Sequence, residues 1–76
     1  MEQTELTIAQ AVRHFDEHYF RPGGKPVFGV KDKRYFQCYN LIKDAQVGDV
    51  TFERVKGVLE EHAPGRYFFT EKIQIV

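Results

Sequence analysis

Polar and apolar positions alternate along this chain in blocks whose period changes, and the changes mark the elements. Thr7-Ile8-Ala9-Gln10 reads as a capping box, a Thr cap answered by Gln three residues later. Ile8, Ala11, Val12, Phe15 and Tyr19 follow at helical spacing, with Gln10, Arg13 and Glu17 on the opposite side. This pattern predicts a first helix that stops near Phe20, because Arg21-Pro22-Gly23-Gly24 cannot continue it. Lys25 to Lys31 is short, rich in Val and Phe and interrupted by Pro26, and Tyr35 to Leu41 is rich in β-favouring aromatics. With Lys31-Asp32-Lys33-Arg34 as a polar turn between them, the two segments read as a β-hairpin. Gly29 inside the first strand suggests a bulge or a close backbone approach.

Lys43 to Val50, with Gly48-Asp49, reads as a loop. Thr51 then resembles a second helix cap, ahead of Phe52, Val55, Val58, Leu59 and His62 at helical spacing, and Ala63-Pro64-Gly65 closes that helix. Gly57 falls opposite its apolar stripe and weakens the helix by about 1 kcal/mol relative to Ala. Arg66 to Val76 is β-like. The predicted order is α-β-β-α-β: a single small α+β domain over residues 1–76, with an antiparallel sheet and two helices packed on one face. The last stretch, Ile73 to Val76, reads as an internal strand of that sheet. The competing reading makes it an edge that pairs with a second copy in a homodimer.

Composition narrows the class. Hydrophobic residues make up 42% of 76 residues, including seven Phe and four Tyr, which suffices for a packed core in one domain. Cys38 is alone, so no internal disulfide forms, and a reducing, cytoplasmic setting is expected. Met1 to Leu6 holds two Glu and no apolar run, unlike a cleaved leader, and no stretch matches a membrane span of roughly 20 apolar residues. Formal net charge is zero, yet the charge is sorted. Residues 21–43 hold six basic side chains against Asp32, whereas residues 1–20 and 44–65 are each acidic on balance.

Catalytic chemistry finds little support. The chain contains no Ser, so a Ser-His-Asp arrangement is excluded. Gly23-Gly24-Lys25-Pro26 has the wrong spacing for a phosphate-binding loop, and Pro26 blocks the helix that must follow. His14-Phe15-Asp16-Glu17-His18 matches the H-x-x-E-H pattern of inverted zinc proteases, but Glu17 lies about 100° from His18 around a helix and points to water. A non-catalytic metal site would draw on His14, His18 and His62 or Glu61; the plainer reading is surface and half-buried histidines. Cys38 shares a strand face with Phe36 and reads as a buried thiol. No cofactor is expected.

The basic hairpin is the leading candidate surface. Lys31, Lys33 and Arg34 sit at its tip, and strand alternation places Tyr35, Gln37 and Tyr39 on one open face, with Phe28 on the other strand. Cations interleaved with rings suit single-stranded nucleic acid, though neutral net charge weakens that reading. A solvated turn that protects an edge is the plainer alternative. In size and charge the chain resembles the compact proteins encoded by phages and mobile elements. The expected function is a non-enzymatic protein-binding module, an inhibitor, adaptor or regulator, with a nucleic-acid-binding domain and a histidine metal-binding domain as alternatives.

Overall fold

A computed structural model describes residues 5–75. The order is β1 (Glu5–Leu6), α1 (Ile8–Phe15), a π-helical turn (Asp16–Phe20), a 3-10 turn (Pro22–Gly24), α2 (Lys33–Gln46), α3 (Phe52–His62), β2 (Tyr67–Phe69) and β3 (Ile73–Ile75). The fold is a small compact α+β domain with three helices and a three-stranded antiparallel sheet. The expected class holds, but the expected order does not. The hairpin over 25–41 is replaced by an irregular segment and a long helix, so three helices are present where two were expected.

The first helix forms as its sequence dictates. Thr7 Oγ1 accepts from the Gln10 backbone N–H at 3.1 Å, and the Thr7 N–H donates to Gln10 Oε1 at 2.9 Å, completing the box. Ala11, Val12 and Phe15 turn inward. The helix then widens: the Arg21 N–H reaches back five residues to the Asp16 carbonyl at 2.7 Å. The wider turn takes five residues to return to the same side, so Phe15 and Phe20 both reach the core, each 1% exposed. The Arg21 guanidinium clamps the Asp16 carboxylate through two hydrogen bonds of 2.7 and 2.6 Å, closing the widened turn from outside. Gly23 and Gly24 follow with φ of 70° and 87°, a left-handed pair that reverses the chain and that a β-carbon would strain.

Asp32 accounts for the helix that replaces the hairpin. Its carboxylate accepts from the Arg34 N–H at 2.9 Å and caps α2. Inside the helix, Cys38, Leu41 and Ile42 are buried and Ala45 packs half-buried behind them, an inward stripe at three- and four-residue spacing. Four residues of the expected 43–50 loop, Lys43 to Gln46, therefore belong to the last turn of α2. Thr51 caps α3 as expected, its Oγ1 accepting from the Arg54 N–H at 3.2 Å, and Val55, Val58 and Leu59 point inward. α2 and α3 run antiparallel. Gln37 bonds Glu61 near one end and Asp44 pairs with Arg54 near the other.

The sheet order is β1-β3-β2, with Leu6 opposite Ile73 on one side and Phe69 opposite Ile73 on the other. β3 is therefore the central strand. The expectation of an internal strand holds, and a homodimer built on a free edge of residues 73–75 does not, because both sides of β3 are occupied within the chain. The core between helices and sheet is built from Val12, Phe15, Phe20, Leu41, Val55, Leu59 and Ile73. Each buried Phe or Leu contributes about 1.5–3 kcal/mol relative to an exposed one. Among the described residues, no helix is long and apolar enough to cross a membrane.

Candidate interaction face on the second helix

Helical geometry redistributes the expected hairpin surface from Lys33 onward. Lys31 stays exposed in the turn before α2, and Lys33 opens the helix. Arg34 is not a free cation: it folds back onto Asp32, with Nη2 to Oδ2 at 2.7 Å and Nε to Oδ1 at 3.1 Å. These bonds, with the Arg34 N–H, hold the Asp32 carboxyl down at about 2. The Arg34 guanidinium also lies 4.4 Å from the centre of the Phe28 ring, whose far neighbour is His62 at 5.7 Å. Phe28 thereby pins the irregular 25–32 segment to the body.

Tyr35, Gln37 and Tyr39 do not share a face. On a helix, Tyr35 and Tyr39 are four apart and stack with ring centres 5.9 Å apart and planes only 7° from parallel. Tyr35 is half-buried against Phe20 at 5.5 Å. Gln37 points instead toward α3: its Nε2 donates to Glu61 at 3.0 Å, and its Oε1 accepts from His62 Nε2 at 3.0 Å. It is an exposed strut between two helices.

The side chain that strand alternation hid is Phe36. Expected in the core beside Cys38, it projects outward instead, whereas Cys38 is fully buried and its thiol is pushed up to about 11, by burial first and by nearby Glu61 second. Lys33, Phe36, Asn40 and Lys43 recur at three- and four-residue spacing on the outward side of α2, with Tyr39 on their flank and exposed Val47 just past the helix end. Exposure is 53% for Phe36 and 44% for Tyr39, and the preceding segment adds Val27 at 54% and Val30 at 61%. Four of the six large apolar side chains exposed among the described residues thus come from residues 27–39. Among the described residues, Lys25, Lys31, Lys33 and Lys43 have no carboxylate at ion-pair distance. The face mixes exposed Phe36 and Tyr39 with Lys33, Asn40 and Lys43. Beside it, Tyr39 and Lys43 join Phe20, Arg21, Ile42 and Gln46 around a shallow pocket. The residues that sequence reasoning missed (Phe36, Asn40, Lys43 and Val47) were legible only once this stretch was indexed as a helix.

The histidines divide into two places. His14 and His18 stack with ring centres 4.1 Å apart and planes 16° from parallel. His14 Nδ1 lies 2.6 Å from the Tyr67 hydroxyl, and His18 Nδ1 donates to the His14 carbonyl at 2.9 Å. Burial lowers the pKa of His14 from its usual value, and the neighbouring His18 lowers it further, against a smaller opposing effect of Glu17. Burial pushes the Tyr67 hydroxyl upward, so it stays protonated. His62 lies elsewhere, bonded to Gln37, so His14, His18 and His62 are not brought together. No group of three or more His, Cys, Asp or Glu side chains converges among the described residues. Glu17 is exposed and pairs with Arg13 at 3.1 Å rather than facing the histidines, as its helical position required. No protein-family model, curated protein or solved structure matched this chain, so its reading rests on its own geometry.

Proposed function

We propose that this chain is a non-enzymatic protein-binding module of the inhibitor, adaptor or regulator type, working in a reducing compartment such as the cytoplasm. Its recognition surface is the outward face of α2 with the segment before it. The observation that carries this reading is the concentration of exposed Phe36, Tyr39, Val27 and Val30 in one stretch of chain. Aromatic side chains at the centre of a patch, ringed by polar ones, supply most of the affinity in protein interfaces. The fold holds Phe36 and Tyr39 out on a helix whose opposite side is locked into the core by Cys38, Leu41 and Ile42, so these two rings are presented rigidly.

The second reading, nucleic acid, draws on Lys31, Lys33 and Lys43, which have no ion-pair partner among the described residues. It is weaker because Arg34 is tied to Asp32 and because Tyr35 and Tyr39 spend one ring face each on one another. The test is capture from nuclease-treated and untreated extract with the wild-type chain, with Phe36→Ala/Tyr39→Ala, and with Lys33→Glu/Lys43→Glu. A protein retained after nuclease and reduced at least tenfold by the aromatic double variant is the expected result. Recovery of nucleic acid alone, lost in the lysine reversal, would replace the protein reading.

A further inference from the structure

The outward side of α3 is the counterpart of the outward side of α2. Glu53, Gly57 and Glu60 lie along it, all exposed, and neither glutamate has a cation at ion-pair distance among the described residues. Gly57 is unexplained within one chain. It is absent from the positive-φ residues, and a β-carbon built on it meets nothing within 4 Å. Neither backbone conformation nor internal packing calls for glycine here, in a helix interior where only proline is less favourable. What its missing side chain does provide is a shallow place where a neighbouring side chain reaches the helix backbone.

We infer that the outward face of α2 docks on the outward face of α3 in a second copy of this chain. The inference rests on reading α2 as a recognition surface and names the surface's occupant. Phe36 lies between Lys33 and Lys43, and Gly57 lies between Glu53 and Glu60, so a projecting ring flanked by cations meets a gap flanked by carboxylates. Lys56 sits at the margin of the acidic face, one cation beside Glu53, Glu60 and Glu61. Because α2 and α3 are antiparallel neighbours tied by Gln37–Glu61 and Asp44–Arg54, their outward faces adjoin. A two-fold axis between copies sets each α2 on the other copy's α3, so the pair closes and does not propagate into a filament.

The test is the mass of the full chain by light scattering over a wide concentration range, repeated with charge-reversed pairs. Wild type is expected to dimerise, and Lys33→Glu/Lys43→Glu and Glu53→Lys/Glu60→Lys are each expected to weaken the dimer at least tenfold. Mixing the two variants restores it, because both contacts of the mixed dimer again join opposite charges. Gly57→Ala is expected to raise the melting temperature while weakening the dimer, two effects of opposite sign that a purely structural glycine does not give. Circular dichroism confirms that each variant is folded. A wild-type chain that stays monomeric at every concentration, a mixture that fails to dimerise, or a dimer that forms only with nucleic acid present overturns the inference. If the monomer still captures protein through Phe36 and Tyr39, the α2 reading survives this failure. If capture is insensitive to those residues, the α2 reading falls as well.

Discussion

α1 and α2 are both helices of this protein, and they were written in different ways. α1 has one apolar stripe, one polar side and a capping box, so propensity, period and cap agree. α2 is apolar on two sides: Cys38, Leu41 and Ile42 face the core while Phe36 and Tyr39 face water. Two stripes on opposite sides of a helix blur its period and, over Tyr35 to Leu41, imitate the aromatic alternation of a strand. The difference teaches that α1 is specified by folding alone, whereas α2 carries side chains that folding does not require. A helix that confuses a periodicity argument in this way is a helix with something left over on its outside.

The largest effect that sharpens this contrast is expected at Phe15, whose ring is buried beneath α1. Phe15→Ala should lower stability by about 3–5 kcal/mol in chemical denaturation, while Phe36→Ala on the outer side of α2 should stay within about 0.5 kcal/mol. Equal losses at the two positions would show that Phe36 is buried as Phe15 is. Next comes Asn40→Pro. In the middle of a helix this change costs about 3 kcal/mol or more, whereas an edge strand tolerates it, so a small change in the denaturation midpoint would argue for the hairpin over the helix. The smallest effect concerns pH. His14 has its folded pKa lowered, chiefly by burial, so the neutral imidazole is favoured in the folded state. Its contribution is full above the ordinary histidine value of 6.5 and declines as pH falls through the lowered folded value. Denaturation midpoints measured from neutral pH downward should therefore fall, and His14→Gln should flatten that fall.

Much of the fold was legible before any coordinates. The Thr7–Gln10 box, the Thr51 cap and the end of the first helix near Phe20 all follow from short-range rules that the structure obeys, and the internal place of the last strand, expected from strand count, is also observed. Three features were not legible, each for its own reason. The cap at Asp32 was hidden because Lys-Asp-Lys-Arg reads equally well as a hairpin turn, and only the packing of Cys38, Leu41 and Ile42 against the body decides between them. The widened turn at Asp16–Phe20 depends on where Phe20 finds room, a tertiary matter. Of the expected site, Tyr39 and Lys33 remain on the candidate face, Tyr35 is half-withdrawn, and Gln37 and Arg34 are spent on Glu61, His62 and Asp32. Indexing by two instead of 3.6 moved Phe36 from the outside to the inside, and with it the centre of the site.

The central position of β3 has a consequence for the order of events in folding. Among the described residues, residues 5 and 6 pair with residues 73 and 74, so the first strand has no partner until those residues are available. The three helices are built from local contacts and form early, whereas the sheet must wait for a long loop to close, which slows its assembly. During synthesis on a ribosome, the growing chain would carry its helices with part of their apolar side uncovered until residues 67–75 emerge. β2 and β3 thus act as a clasp that seals the domain, and deleting residues 67–75 should harm the yield of folded protein more than their small size suggests.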